Sequence, residues 1–370
     1  MKNKSKPVVL VSPLDWGIGH ASRVVPVINK LIENNFKIIL GISGRSGEFL
    51  KSAFPDLSYI SLPFTNIRYG KAKSFFFLLL QIPFFIISVL KEHNILKRKI
   101  KQYKIELIIS DNRYGLWNKK IFSVLITHQL FIKLPGYITF LQPFIWFVTN
   151  KMINKFDECW IPDLPDFNKS LSGKLSHGFK MPDNFHFIGL LSRFCSYNSM
   201  KINRSNHDYL LVILSGPEYQ RTIIEEKIID QIKSFRLKAI ILRGLPSMQP
   251  EKESIDGIQF YNHVSDKEFA NLVMQSKGII CRSGYSTIMD LICLGKSAIL
   301  IPTPGQTEQE YLANYLSSKG LFLNYSQNKF NLKLAFESNF IPDDSQINKY
   351  KITKNLLDPA IENLMNKICK

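Results

Sequence analysis

Short apolar runs rich in β-branched residues alternate with helical segments along most of this chain, and this alternation constrains the fold more than any other feature. Strands that alternate with helices pair in parallel, because each helix carries the chain back to the same end of the sheet. The runs predicted as strands lie at 7–12, 36–41, 57–61, 105–110, 124–127, 157–161, 185–188, 209–214, 238–242, 258–261, 278–281 and 297–301. A chain of 370 residues has room for two such sheets. The sequence therefore predicts an α/β protein with two Rossmann-like, doubly wound domains.

A polar stretch without periodicity at 195–208 divides the two series of strands. We expect an N-terminal domain over 1–194, a linker over 195–208 and a C-terminal domain over 209–345. We expect the last segment, 346–370, to be a helix that packs back toward the N-terminal domain. A cleft between the two domains is the expected ligand site.

Charge and cysteine content narrow the function classes. The formal net charge of +18 predicts attraction to polyanions such as nucleotides, phosphates or anionic lipid. Nucleic acid is a poor candidate, because the basic residues are spread along the chain and the aromatic ones cluster in apolar runs. The five cysteines are odd in number and form no Cys-x-x-Cys pair, which favours a reducing, cytoplasmic compartment with neither a disulfide frame nor a zinc site. The basic start is followed by a short apolar run that soon meets Asp15, so we expect no signal peptide.

The first strand ends in a glycine-bearing turn that leads into a helix. Gly17 and Gly19 would let a ligand approach the backbone, and His20 has a pKa close to neutrality and could act as a base. Arg23 follows one turn later, so we group it with the two glycines as an acceptor or phosphate loop. Asp111 follows the strand at 105–110 and falls on the same edge of the sheet. The alternative is a tight turn with a solvated histidine.

The stretch 282–290, Arg-Ser-Gly-Tyr-Ser-Thr-Ile-Met-Asp, joins a strand to a helix in the second half. Such a junction binds anions, because the first N–H groups of a helix are unpaired and carry partial positive charge. The residues with donor groups or backbone freedom there are Arg282, Ser283, Gly284, Ser286 and Thr287. Asp290 could accept a hydrogen bond from a sugar hydroxyl. An ordinary helix cap explains the stretch alone equally well, but Ser215 and Gly216 form a second junction of the same kind.

The segment 74–90 is apolar nearly all round and is followed by a cluster of lysines and arginines. It is slightly short for a membrane span and is interrupted by Gln81 and Pro83. An apolar helix beside basic residues is typical of the surface of an anionic membrane, whereas the alternative is a buried core helix. A second aromatic-rich stretch at 137–148 adds weight to the lipid-facing interpretation.

Taken together, these motifs resemble glycosyltransferase family 28, which has the GT-B fold and includes the lipid I N-acetylglucosaminyltransferases and the plant monogalactosyldiacylglycerol synthases. Residues 282–290 resemble its donor-binding signature, with Asp290 as the acid that binds ribose. Gln309 and Glu310 fall where the family has a polar pair, usually two glutamines, that contacts ribose and donor sugar.

The resemblance extends to three further segments. Ser215 and Gly216 resemble a glycine-rich loop near the diphosphate, and His263 and Val264 fall near the segment that meets the uracil. The segment 17–20 resembles the first glycine loop of the family. It also resembles the nucleotide-sugar hydrolase of pseudaminic acid synthesis, in which Gly-x-Gly-His-x-x-Arg supplies the catalytic histidine. The two enzymes share a UDP-sugar pocket and differ in whether water or an acceptor hydroxyl attacks.

The sequence thus predicts a GT-B glycosyltransferase that transfers a hexose or N-acetylhexosamine from a UDP-sugar to a lipid-linked or cell-envelope acceptor. His20 is the expected base and Asp111 its partner. We expect an inverting reaction without metal or cofactor, with Arg243 or Arg282 and the helix N-termini carrying the charge of the leaving diphosphate. The expected location is cytoplasmic, peripheral on the inner face of the membrane.

Overall fold

A computed structural model describes residues 6–62, 75–178, 180–195, 209–216, 218–245, 252–337, 344–350 and 356–368, and the side chains of 75–82 lie outside this description. The chain divides into two compact units. The first comprises residues 1–191 and 354–370, and the second comprises residues 192–353. Most of the predicted linker, 196–208, falls outside the described residues.

The first unit contains a seven-stranded, wholly parallel sheet in the order β3-β2-β1-β4-β5-β6-β7. Its strands are β1 (Val8–Pro13), β2 (Lys37–Ile42), β3 (Ser58–Ser61), β4 (Leu107–Asp111), β5 (Phe122–Ile126), β6 (Glu158–Ile161) and β7 (Phe185–Phe187). The central strands β1, β4 and β5 are buried nearly throughout, as expected for a parallel sheet that is covered on both faces.

The described residues of this unit form five α-helices, together with short 3-10 turns at Gly136–Leu141, Phe167–Lys169 and Gly173–Leu175. They are α1 (Ile18–Glu33), α2 (Gly44–Ala53), α3 (Phe75–Tyr103), α4 (Gln142–Ile153) and a C-terminal helix, Leu357–Ile368. α3 packs Leu96 against Leu10 and Ile108, and α4 packs Ile153 against Leu125. The strand register places those sheet residues on one face, so α3 and α4 cover the same side of the sheet.

The C-terminal helix belongs to the first unit and packs against α1. At its start, Asp358 pairs with Lys30 of α1 at 3.0 Å. Near its end, Lys367 pairs at 2.5 Å with the buried carboxylate of Glu158.

The second unit contains another seven-stranded sheet, in the order β10-β11-β9-β8-β12-β13-β14. Its strands are β8 (Leu210–Ile213), β9 (Ala239–Leu242), β10 (Lys252–Ile255), β11 (Ile258–Tyr261), β12 (Gly278–Cys281), β13 (Ile299–Leu300) and β14 (Leu323–Asn324). Six strands are parallel, but the edge strand β10 pairs antiparallel with β11. We predicted no strand at 252–255; β10 joins β11 through a tight hairpin in which Asp256 and Gly257 have positive φ angles of 52° and 80°.

The helices of the second unit are α5 (Gln220–Ser234), α6 (Asp266–Gln275), α7 (Tyr285–Leu294), α8 (Thr307–Ser318), α9 (Leu332–Glu337) and α10 (Asp344–Asn348). α6 begins at a serine cap, in which Ser265 accepts a hydrogen bond from the N–H of Glu268. α7 is the most buried, with eight of its ten residues in the core, and it ends at Gly295 in the left-handed conformation.

The strand order of each sheet reverses beside the first strand of its unit. In the first unit the reversal lies between β1 and β4, and in the second between β8 and β12. Ligands of open parallel sheets bind at such points, beyond the carboxyl ends of the strands. Three predicted segments lie there: the turn before His20, Asp111 at the end of β4, and the stretch from Arg282 to Asp290. The predicted fold class of two parallel-sheet α/β domains is confirmed.

Candidate active site

The turn after β1 and the end of β4 build the first half of the site. Gly17 has a φ of 84°, a conformation that favours glycine, and α1 begins at the next residue. His20 and Arg23 are three positions apart in α1 and therefore share one face of the helix. That face looks toward Asp111, the last residue of β4.

His20 and Asp111 form the pair that the sequence predicts. Nδ1 of His20 lies 3.0 Å from Oδ2 of Asp111, whose side chain is fully buried, and the His20 side chain is 14% exposed. Burial and the charge of Arg23 hold the pKa of His20 below its usual value and outweigh the opposing effect of Asp111. Burial opposes ionisation of Asp111, but Arg23 and His20 together hold its pKa below the usual value. Neutral His20 thus donates its Nδ1–H to ionised Asp111, which leaves the Nε2 lone pair free to accept a proton.

Arg23 contacts Asp111 and His128 inside the first unit. Its Nε is 2.9 Å from both carboxylate oxygens of Asp111, and its Nη2 also donates to Asp111. Its Nη1 lies 3.2 Å from Nδ1 of His128, just beyond β5. The Arg23 side chain is only 2% exposed. The guanidinium therefore lies in the interior of the first unit, and the assignment of Arg23 to an acceptor or phosphate loop stays a prediction.

His128 is a member of this cluster to which the sequence assigned no role. A guanidinium can only donate, so Nδ1 of His128 accepts from Arg23. The only sequence signal for His128 is its place at the carboxyl end of a predicted strand.

The turn after β12 builds the corresponding part of the second unit. α7 begins at Tyr285, which places the half-buried Ser286 and Thr287 in its first turn. Ser283 donates to the carbonyl oxygen of Gln309 at 2.9 Å, so the start of α7 lies beside the start of α8. On the other side of β12, Ser215 and Gly216 follow β8, and Gly216 has a φ of 101°.

Gln309 and Glu310 organise the loop before α8. The side-chain oxygen of Gln309 accepts from the N–H of Thr303 at 2.9 Å, and Glu310 accepts from the N–H of Gly305 at 2.9 Å. The Gln309 amide donates to Gln306 at 2.5 Å. These contacts fix the loop, and the donor-sugar roles of both residues stay predictions.

Asp290 is buried on α7, and its Oδ1 accepts a 2.6 Å hydrogen bond from Ser192. Burial raises the pKa of Asp290 to about 6, against the lowering effect of the nearby Arg193 charge and of the Ser192 bond. Arg193 in turn pairs with Asp266 at 2.6 Å. The ribose role of Asp290 stays a prediction. The sequence drew no attention to Ser192 or Arg193 as its neighbours.

The two arginines proposed for the diphosphate differ in their surroundings. Arg243 donates to Glu225 at 2.7 Å and lies over the ring of Phe260, so a carboxylate already balances its charge. Arg282 is buried and donates to the backbone carbonyls of Ile301, Pro302 and Gln220. Within the part of the chain that the structure describes, its Nε has no partner, and burial lowers its pKa to about 10. Arg282 is therefore the stronger candidate for balancing an anion.

His263 and Val264 lie in the loop between β11 and α6. Val264 is buried and His263 is half-buried. Burial and the charge of Arg193 lower the pKa of His263, against a raising effect of Asp266. The predicted contact of this segment with a uracil stays a prediction.

Cys195 and Cys293 are joined in a disulfide with a Cα–Cα distance of 4.8 Å. Our expectation that the cysteines form no disulfide is therefore wrong. The two residues are 98 positions apart, and only the packing of the segment after Ser192 against α7 brings them together. Cys159 and Cys281 are free and buried.

Exposed apolar side chains lie on α3, in the 3-10 turn before α4, and on α4. Phe140 is 75% exposed, and the others are Phe84, Ile86, Ile87, Leu90, Tyr137, Phe144, Phe147 and Val148. Exposed basic residues follow the apolar ones along the chain at Lys91, Lys97, Arg98, Lys101, Lys104, Lys151 and Lys155. Across the described ranges, no helix is long and apolar enough to cross a membrane.

Comparison with known proteins finds a similarity in the second unit. Residues 217–342 match the model of the glycosyltransferase family 28 C-terminal domain. The chain is 34% identical over 173 residues to the UDP-N-acetylglucosamine–N-acetylmuramyl-(pentapeptide) pyrophosphoryl-undecaprenol N-acetylglucosamine transferase of Prochlorococcus marinus. This alignment covers 42% of this chain and 44% of the relative. It is 24% identical over 174 residues to the same enzyme of Sulfurihydrogenibium, covering 45% and 49%. The chain thus spans about half the length of these curated relatives. The resemblance of the second half to family 28 is confirmed.

Solved structures match over nearly the whole chain. Acinetobacter baumannii MurG aligns with a TM-score of 0.57 at 14% identity, covering 98% of this chain and 99% of that one. The calicheamicin glycosyltransferase CalG4 aligns with a TM-score of 0.66 at 9% identity, covering 99% and 100%. At such low identity these matches establish the fold, which is GT-B.

Proposed function

We propose that this protein is a glycosyltransferase that moves a hexose or N-acetylhexosamine from a UDP-sugar to an acceptor hydroxyl. The observation that carries the proposal is the His20–Asp111 pair, which leaves Nε2 of His20 free at the strand-order reversal of the first unit. Two similarities support the proposal. The second unit is similar to the family 28 C-terminal domain, and the curated relatives are named as transferases of N-acetylglucosamine.

In the proposed reaction the acceptor hydroxyl attacks the anomeric carbon of the donor. A new carbon–oxygen bond forms as the bond to the diphosphate breaks, and UDP leaves with that bonding pair. The hydroxyl proton passes to Nε2 of His20, and the negative charge of Asp111 stabilises the imidazolium that results. A single displacement of this kind inverts the anomeric configuration.

The second unit offers groups that suit the leaving diphosphate. The N-terminal turns of α5 and α7 present backbone N–H groups beside the reversal between β8 and β12, and hydroxyls lie at Ser286 and Thr287. Arg282 adds a buried positive charge that the described carboxylates do not balance. These groups support a reaction in which no metal ion is required.

We also propose that the acceptor is presented by a membrane, which the exposed apolar side chains of α3 and α4 contact. These helices lie on one face of the first sheet, and the basic residues around them would attract anionic headgroups. The curated relatives are named for an undecaprenol-linked substrate, which fits an acceptor of this kind. We place the protein on the cytoplasmic side of the membrane, where nucleotide sugars serve as donors.

The test is UDP release by the purified protein from a panel of UDP-hexoses and UDP-N-acetylhexosamines, with and without lipid extract that contains polyprenol-linked acceptors. We expect release that depends on the acceptor and yields a glycosylated lipid. Equal release in water alone would assign the protein as a nucleotide-sugar hydrolase. The absence of both UDP release and thermal stabilisation by UDP would contradict the proposal. A ligand that binds only the folded state must raise its stability.

A further inference from the structure

The buried guanidinium of Arg23 contacts His128 directly and reaches His20 through the carboxylate of Asp111. Its Nε lies 2.9 Å from both oxygens of Asp111, and Asp111 contacts Nδ1 of His20 at 3.0 Å. Its Nη1 lies 3.2 Å from Nδ1 of His128. Since Arg23 and Asp111 are both shielded from water, their contact is fixed by the fold. Arg23 therefore touches the partner of His20 and not the expected reacting atoms.

Charge balance explains what Arg23 does for His20. A buried carboxylate next to an imidazole favours the protonated ring, and a protonated ring cannot accept a proton. A guanidinium on the same carboxylate cancels that attraction. The charged and titratable groups that face His20 are Arg23 on α1, Asp111 on β4 and His128 beyond β5. Tyr114 adds no charge, because burial raises the pKa of its hydroxyl far above neutrality.

The orientation of Asp111 depends on the same contact. Asp111 could rotate about its side-chain bonds if His20 were its only partner. The hydrogen bonds from Nε and Nη2 of Arg23 fix the plane of the carboxylate, so that Oδ2 stays at Nδ1 of His20. A lysine could supply the charge at this position but not the fork of donors.

We propose that Arg23 is a positioning residue for His20: it fixes Asp111 against Nδ1 and cancels its charge, so that His20 meets the acceptor hydroxyl as a neutral imidazole. This role rests on the proposed function, and it assigns to Arg23 the preparation of the base and not the binding of phosphate.

The test is an NMR titration of the ring Cε1–H of His20 in the full chain labelled with ¹³C-histidine, with His20→Gln identifying the signal. In the wild type we expect a midpoint below the usual value. Arg23→Gln leaves Asp111 unbalanced and raises the midpoint by about 1–2 pH units. The double variant Arg23→Gln/Asp111→Asn removes both charges and returns the midpoint toward the wild type. Arg113→Gln, which removes another buried arginine that pairs with Glu92, is the matched control and leaves the midpoint unchanged.

An unchanged or lower His20 midpoint in folded Arg23→Gln protein would overturn the proposal. Should that variant fail to fold, Asp111→Asn is compared with the double variant, because the two differ only at Arg23. The guanidinium that remains in Asp111→Asn should hold its midpoint below that of the double variant, and equal midpoints would also overturn the proposal. Transfer assays add a second readout, in which the acid limb of the kcat/KM profile moves to higher pH in Arg23→Gln. The titration does not require activity, so a failure to detect glycosyl transfer is distinguishable from a failure of this inference.

Discussion

Nδ1 of His20 lies 3.0 Å from Oδ2 of Asp111, although 91 positions separate the two residues along the chain. The helix after β1 supplies the histidine and the end of β4 supplies the acid, on neighbouring strands of one sheet. Because the Asp111 carboxylate accepts the proton on Nδ1, Nε2 of His20 is the nitrogen that can act as the base.

Asp111→Asn should lower kcat for acceptor-dependent transfer by about 10²–10⁴-fold, because the amide no longer stabilises the imidazolium. The Kd for UDP should stay unchanged, since Asp111 lies in the first unit. Steady-state kinetics and calorimetric UDP titration check the two values. Asp183→Asn, which replaces an exposed acid of the same unit, serves as the control. A parallel loss of UDP binding would instead assign Asp111 to donor binding.

Asp290 should make the stability of the protein depend on pH in a definite direction. The pKa of Asp290 in the folded protein, about 6, lies above the usual 3.8. The contribution of Asp290 to the free energy of unfolding is therefore fully present below pH 4 and is lost as pH rises through 6. Asp290→Asn should therefore gain stability over the wild type between pH 4 and 7, by up to about 3 kcal/mol. Chemical unfolding of both proteins across this range measures the difference. A gap that stays constant with pH would show that Asp290 does not titrate in this way.

The exposed aromatic residues just before and at the start of α4 should govern membrane contact. Phe140→Ser/Phe144→Ser should weaken binding to anionic liposomes by tenfold or more, since each buried phenyl ring contributes about 1.5–3 kcal/mol. Flotation at low and high salt measures the binding, and high salt should reduce it further. Phe235→Ser, which alters an exposed aromatic residue of the second unit, is the matched control. Wild-type protein that fails to float at either salt concentration would rule out the membrane surface.

The disulfide between Cys195 and Cys293 should appear as a linked peptide pair in a non-reducing digest. Its reduction should lower the stability of the second unit by about 2–4 kcal/mol, because the bond closes a long loop of the unfolded chain. Thermal unfolding with and without reductant checks this. Cys195→Ser should unfold at the same temperature in both conditions, and a digest with free thiols at both positions would contradict the bond.

The sequence predicts well those features that depend on local patterns. Parallel strands were expected from the alternation of apolar runs and helices, and the turns at both strand-order reversals follow from it. The hairpin of β10 and β11 was missed, although Asp256-Gly257 is a typical signal for such a turn. The pattern of the long apolar runs outweighed this two-residue signal.

Long-range packing explains what the sequence could not predict. Arg23 carries the same charge whether it faces a phosphate or Asp111, and only the fold determines which. Ser192 meets Asp290 because the chain entering the second unit packs against α7, and the same packing joins Cys195 to Cys293. Sequence spacing contains no information on these contacts, since the members of each pair are about a hundred residues apart.

The most direct test of the central claim is the kcat of His20→Ala for acceptor-dependent UDP release, measured beside the wild type and His186→Ala, a control that removes a half-exposed histidine of the same unit. If His20 is the base, its removal should lower kcat by about 10²–10⁴-fold while thermal stabilisation by UDP is retained and the control stays active. Turnover by His20→Ala at the wild-type rate would contradict the assignment.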